Sequence, residues 1–446
     1  MRNHLQTLIV LFLLSSLVTE AQTDVVIRKK DFNIRKEGFE EAWKHIGDGD
    51  KYYSKKGIWY DSAFDEYLKA SGYNNSNAEL NYKTGVSALF SDNKEKAAEF
   101  LIKAHELNNN VADDILFLTG RSLQYSSRFS EAIKKFKNYI SLHTMVSDPN
   151  VYTAKKYIEE CNSALIVTAD TLKIEIVNAG PNINSSADDY SELVSDEGKT
   201  IFFASRRKLP KSNSYYSDSK FDENIYISCK VNDSLGVATL AGEDLTTPYC
   251  ETPVYIDSDN DTLYVCAGYE NDGDIKFSYK KKGKWKPLQP VQFGINSKGK
   301  ETSFTFSPSG NEIYFVTNSG KDNVGGKDIY FIRKIDNRKW SKPQNAGTVI
   351  NSAFDEESVR FSDKGDTLWF SSNGHNSIGG FDIFYCVKNQ AGEWDSVKNF
   401  GYPVNTPWDD FFYYPSPGDK RTFYFVSNRN GGYGGLDIYL GRTKNQ

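Results

Sequence analysis

Residues 422–440 read TFYFVSNRNGGYGGLDIYL. The first six alternate as a strand and end on Ser427, a turn rich in Asn and Gly follows, and a second strand opens at Asp437. Period-two alternation bounded by turn residues is the pattern of paired β-strands. The same unit recurs upstream. TIFFAS, TLYVCA, EIYFVT and TLWFSS end on Ser205, Ala267, Thr317 and Ser372, so the spacings up to Ser427 are 62, 50, 55 and 55. The strands that follow them carry Asn224, Asp274, Asp328, Asp382 and Asp437, spaced 50, 54, 54 and 55. Trp285, Trp340 and Trp394 are spaced 55 and 54. A period near 50 with four short strands per copy predicts β-propeller blades, and five copies predict five blades.

The two ends of this region complement each other. The last copy stops at LDIYLGRTKNQ, without the outer strand that carries Trp elsewhere. Before the first copy, Ala179-Gly180-x-x-Ile183-Asn184 repeats the offsets of Ala346-Gly347-x-x-Ile350-Asn351, which follow the Trp340 strand. Residues 172–178 are therefore expected to be the outer strand of the last blade. Closure by strands from both ends would leave no open sheet edge.

From Phe39 to Leu165 the apolar period is helical. Ala63, Ala97 and Ala132 are spaced 34 and 35, and so are Ala70, Ala104 and Tyr139. Gly85 and Gly120 stand twelve residues before the second and third alanines, whereas Lys51 holds that place in the first copy. Small residues at such offsets let two antiparallel helices approach closely, and the pattern resembles the tetratricopeptide repeat. Asp148-Pro149 marks the start of a last helix, Val151–Leu165, that would cap the stack. The chain thus reads as an α + β multidomain protein: a signal peptide at 1–21, a tetratricopeptide helical solenoid over 22–168, and a five-bladed propeller over 169–446.

The leader has Arg2 and His4, the apolar run Leu5–Val18, and Thr19-Glu20-Ala21 as an export cleavage site. No Cys stands at that site, so a lipid anchor is not expected. Lys and Arg total 54 against 59 Asp and Glu, a net charge of −5. Such a chain has no basic excess to release counterions, so nucleic acid is not an expected partner. The aromatic share of 14% suits pleated sheet surfaces. The five cysteines, at 161, 229, 250, 266 and 386, include no C-x-x-C and do not form a disulfide framework. Cys250 and Cys266 either face each other across a hairpin or remain buried thiols.

The segments SNRNGGYGGLDIY at 427–439, SNGHNSIGGFDIF at 372–384 and TNSGKDNVGGKDIY resemble the WD-repeat-like, TolB-type propeller repeat; blades one and two lack the Gly-Gly pair. A leader, tetratricopeptide helices and such a propeller together resemble periplasmic OmpA-family proteins of Bacteroidetes, notably PorE-type components of the type IX secretion system. Those proteins continue into carboxypeptidase-regulatory-like and OmpA-like domains, which this sequence does not contain, so peptidoglycan anchoring is not carried over. The resemblance implies partnership with a PorP/SprF-type outer-membrane β-barrel and other secretion components. It also implies a periplasmic location peripheral to the outer membrane.

Enzyme motifs are sparse. No G-x-S-x-G and no P-loop occur, and GGYGGLD reads as a turn requiring positive φ. Asp257-x-Asp259-x-Asp261 lacks the Gly and Glu of a calcium loop and reads as a hairpin turn. One constellation repeats. Asp189, Glu251, Glu301, Glu356 and Asp410 open the five blades, spaced 62, 50, 55 and 54, and Asn184, Asn296, Asn351 and Asn405 lie five residues before four of them. The carboxylates are expected to ring one channel mouth, with Arg206, Asn318, Asn373, Asn428 and Arg429 on the same face. They either accept hydrogen bonds from the inter-blade turns or form a cation or polar-ligand site. Catalysis needs an acid and a base in different environments, and five equivalent positions argue against that. The sequence therefore reads as a periplasmic scaffold or adaptor that is not an enzyme and takes no cofactor. The alternative is a glycan-binding or glycoside-hydrolysing propeller using channel-mouth carboxylates.

Overall fold

The computed structural model describes residues 25–143, 148–195, 198–209, 220–231, 234–247, 250–268, 273–336 and 339–444. The leader expected over residues 1–21 lies outside them. The chain divides into one unit that runs to Leu165 and another that begins at Ile166.

Among the described residues the first unit holds eight α-helices: α1 (Lys29–Phe32), α2 (Phe39–Tyr53), α3 (Trp59–Ser71), α4 (Ala78–Leu89), α5 (Lys94–Leu107), α6 (Ile115–Tyr125), α7 (Phe129–Leu142) and α8 (Pro149–Val167). Local chemistry sets their starts. The Asn77 side chain accepts the Leu80 N–H at 2.7 Å and caps α4, and Asp148 accepts the Asn150 N–H at 2.8 Å ahead of α8. The helices pack as consecutive pairs, α2 on α3, α4 on α5 and α6 on α7, and each pair packs on the next. Close approach explains the small residues. A Cβ on Gly85 would lie 2.6 Å from the Leu101 side chain, and one on Gly120 would lie 2.6 Å from the Phe136 ring. The first pair has the same crossing, because a Cβ on Gly49 would meet the Tyr67 ring at 2.6 Å. Lys51 is therefore not the counterpart of these glycines. The longer α2–α3 connection, residues 54–58 against 90–93 and 126–128, moves the glycine out of the expected offset. Ala63, Ala97 and Ala132 are fully buried.

The second unit is a five-bladed β-propeller. Its inner strands are Asp189–Ser195, Glu251–Ile256, Glu301–Phe306, Glu356–Phe361 and Asp410–Pro415. In each blade the last residue of the second strand pairs with the polar marker of the third: Ser205 with Asn224, Ala267 with Asp274, Thr317 with Asp328, Ser372 with Asp382, Ser427 with Asp437. The strand Ile174–Asn178 pairs antiparallel with Asp437–Thr443, from Ile174 opposite Thr443 to Asn178 opposite Tyr439, and closes the last blade. The inner strands touch their neighbours in a complete ring. Aromatic residues fill the space between sheets; the Trp394 ring nitrogen donates to the Tyr314 hydroxyl at 2.9 Å, joining blade four to blade three. None of the five cysteines is in a disulfide, Cys250 and Cys266 included, and Cys229 alone of them is exposed.

The positive φ expected of the GGYGGLD turn falls on one glycine, and the Gly-Gly pairs serve another need. Gly434 and Gly435 do not have positive φ, although Gly431 does, at 88°. A Cβ on Gly325, Gly379 or Gly434 would instead strike the backbone of the following blade, Phe354, Pro407 or Ala187, at 1.8 to 2.2 Å. Hydrogen had to stand there because two chain segments cross in contact.

Candidate functional site at the mouth of the propeller

Each of the five carboxylates that open the inner strands is buried, with 0% exposure. Each reaches back four residues into the turn that leads into its strand. Glu301 accepts the Ser297 N–H at 3.1 Å and its hydroxyl at 2.6 Å, and the Thr317 hydroxyl at 2.7 Å. Glu356 accepts the Ser352 N–H at 3.1 Å and the hydroxyls of Ser352 and Ser372 at 2.6 and 2.8 Å. Asp189 and Asp410 make the same pair of bonds with Ser185 and Thr406. Glu251 accepts the Thr247 hydroxyl. The carboxylates thus latch the inter-blade turns. Among the described residues no three His, Cys, Asp or Glu side chains converge as a metal site.

The asparagines five residues earlier complete the joint. Asn184, Asn351 and Asn405 each exchange two hydrogen bonds with the backbone of Ile438, Ile329 and Ile383 in the preceding blade, and Asn296 does so with Ile275. Asn318, Asn373 and Asn428 accept the backbone N–H of Lys300, Asp355 and Asp409 just ahead of the inner strands. Arg206 donates to the Phe221 carbonyl at 2.8 Å.

What differs between blades is the partner on the far side of the carboxylate. Arg429 donates to Asp410 at 2.6 Å and to the Val404 carbonyl. Its counterpart is Arg207, which donates to Asp189 and to the Ile183 carbonyl, each at 2.7 Å. Sequence reasoning selected Arg206 and passed over Arg207, although Arg207 and Arg429 both stand two residues after the strand-ending serine. In blade four the place falls to His375, 3.9 Å from Glu356, with Nε2 against the Ile350 carbonyl at 2.9 Å. Burial lowers the His375 pKa and so favours the neutral ring beside Glu356. Burial also pushes the Glu356 carboxyl up to about 8 and that of Glu251 up to about 7. It raises Asp410 too, against the opposing pull of Arg429.

The residue after each carboxylate, Tyr190, Thr252, Thr302, Glu357 or Phe411, is partly exposed. Thr302 donates to Glu357 across the blade boundary at 2.6 Å, Lys327 pairs with the other oxygen of Glu357, and Tyr190 donates to Glu223 at 2.6 Å. The accessible chemistry of this face therefore lies one position along from the ring read in the sequence.

No protein-family model matches this protein, and no curated protein matches it. Solved structures share the propeller. A complex of BT0996 with RGII aligns at 9% identity over 64% of this protein and 96% of that one, with a TM-score of 0.44. A glycoside hydrolase aligns at 10% identity over 65% and 95%, with a TM-score of 0.42. The RS223 β-xylosidase aligns at 12% identity over 61% and 96%, with a TM-score of 0.37. At these identities the likeness concerns the fold alone. The aligned structures include a glycoside hydrolase and a β-xylosidase, against the expectation that the protein is not an enzyme. The physical premise of that expectation also fails: the five carboxylates are not equivalent, two being paired with arginine and two raised to about 7 and 8.

Proposed function

We propose that this protein is an exported adaptor that binds protein partners through a tetratricopeptide-type helix array and uses the propeller as a second, rigid platform. In this reading it works in the periplasm, peripheral to the outer membrane, beside a PorP/SprF-type β-barrel of a type IX secretion or gliding-type machinery. The observation that carries the proposal is the repeated crossing of Gly49, Gly85 and Gly120 against Tyr67, Leu101 and Phe136, the geometry of stacked helix pairs whose faces take protein segments. The Leu5–Val18 leader and the PorE-type module order support the location.

Binding is expected to rest on folded surfaces, since a net charge of −5 exerts little field beyond the screening length of about 8 Å. The protein should stay with the outer-membrane fraction through a moderate salt wash and leave it in detergent together with a barrel protein. Digestion of the chain by protease added to intact, sealed cells would place it outside and end this reading.

A second reading is glycan binding or hydrolysis at the propeller mouth. It is favoured by the unequal environments of the ring carboxylates and by the partly exposed Glu357 beside Lys327. Release of reducing sugar from a polysaccharide panel, lost in a folded Glu357→Gln variant, would establish it. Neither release nor binding across the panel would remove it.

A further inference from the structure

The channel enclosed by the inner strands is not completely filled by side chains. It keeps a cavity of about 30 Å³, lined in part by Ser191, Glu192, Ser303, Ser358, Arg360 and Tyr414. That is room for a water molecule or a few small atoms. Glu192 enters from blade one and Arg360 from blade four. Glu192 is 2% exposed, and neither of its carboxyl oxygens has a hydrogen-bond partner among the described residues. The Arg360 Nε and the Ser358 hydroxyl are buried without partners as well. The Arg360 guanidinium carbon lies 3.4 Å from the centroid of the Tyr414 ring. Stacked in this way, a guanidinium keeps its N–H edge free for a planar acceptor.

Several buried groups left unsatisfied around one void would be costly unless something satisfies them together. The sign of that ligand follows from which group can give up its charge. Arg360 cannot deprotonate. Glu192 can take up a proton, and burial pushes its carboxyl well above the usual range despite the pull of Arg360. The cavity then holds one positive charge and the donors of an arginine, a serine and a carboxylic acid.

We propose that the propeller channel is a binding site for a small carboxylate or a monovalent oxyanion of like size, held by Arg360 and hydrogen-bonded by Ser358 and Glu192. A carboxylate matches the fork of a guanidinium with two parallel hydrogen bonds. The site is separate from the turn-latching ring and does not depend on the adaptor reading.

The test is calorimetric titration of the mature full-length chain with sodium formate, acetate and nitrate. Ionic strength is balanced with HEPES, an anion too large for the cavity. Saturable binding is expected, weakened at least about tenfold in Arg360→Gln, which removes the charge, and in Arg360→Lys, which keeps the charge and loses the fork. Glu192→Leu, which removes the donor, is expected to weaken binding about threefold or more, and Glu192→Gln, which keeps a neutral donor, to weaken it less. Far-UV circular dichroism checks that each variant is folded, and Arg360→Lys keeps the test decisive if Arg360→Gln is not. Absence of saturable binding for all three anions would mean that the cavity holds water only. Binding unchanged in Arg360→Lys would place the anion elsewhere. Saturable binding of sodium or calcium, lost in Glu192→Gln, would reverse the sign of the site. Each of these results overturns the proposal.

Discussion

A fragment beginning at residue 169 is expected to fold as a closed propeller, and one beginning at residue 185 is expected not to fold. The difference is a short segment that carries one strand and one joint. Ile174–Asn178 supplies the outer strand of the last blade, and Ile174 and Ile176 pack on the cluster that holds Phe423, Phe425 and Tyr439. Asn178 donates to Asp437 at 2.8 Å, Ile183 is fully buried, and Asn184 exchanges two hydrogen bonds with Ile438. Full burial of such a side chain, as for Ile183, contributes about 1.5–3 kcal/mol, and the partly buried Ile174 and Ile176 contribute less. Three of them and the paired backbone together match a large share of the ~5–15 kcal/mol by which a domain is stable. Their loss also bares the edge of the Asp437–Thr443 strand for aggregation. Limited proteolysis should give a stable product starting near residue 169, with a cooperative melt. A folded, monomeric protein made from residues 185–446 would refute closure as the source of stability.

The blades were legible because their signal is a period, carried by markers that pair with each other. The strand-ending residue and the Asn or Asp marker, aligned separately in the sequence, face each other in the ladder of every blade. The GGYGGLD turn takes its expected positive φ at Gly431, but the Gly434-Gly435 pair serves contact, and a glycine that permits contact and a glycine that permits positive φ look alike in a sequence. The first helix pair hid its glycine because a loop insertion breaks an offset and leaves the packing intact. The carboxylate ring was visible as five positions, but burial and the identity of the opposing side chain depend on the neighbouring blade. Glu192 and Arg360 had no signal at all. The inner strands slip register between Tyr190 and Leu193 and between Glu357 and Arg360, and Ser191 and Ser358 take φ of 56° and 58° there. A bulge ends the alternation by which a strand sequence tells channel from core.

Two substitutions at equivalent ring positions are expected to move stability in opposite directions. In the folded chain the Glu356 carboxyl sits at about 8, above its ordinary value of 4.5, because burial disfavours the charge. A carboxyl raised by folding favours the native state fully below its unfolded pKa, and that advantage is lost as pH rises to the folded value. The native chain should therefore lose stability from this group between about pH 4.5 and pH 8. Glu356→Gln keeps an oxygen for the Ser352 N–H and cannot ionise. It should melt like the native chain near pH 4.5 and be more stable near pH 8.5, by roughly 5 kcal/mol at ~1.4 kcal/mol for each pH unit between 4.5 and about 8. Asp410→Asn should do the reverse, because burial raises the Asp410 carboxyl as well but the change also strips a cation of its partner. It leaves the Arg429 guanidinium, 14% exposed, without its carboxylate, and breaking a buried pair costs about 3–5 kcal/mol. The carbonyls of Pro403 and Val404 and the Ser427 hydroxyl still hold Arg429, so the loss should fall at the lower end of that range. Melting curves of both variants against the native chain at pH 5.5, 7 and 8.5 separate the two cases. If Glu356→Gln is destabilising at pH 8.5, or if Asp410→Asn leaves the melt unchanged, the partners opposite the ring do not set its energetics and the five positions are equivalent after all.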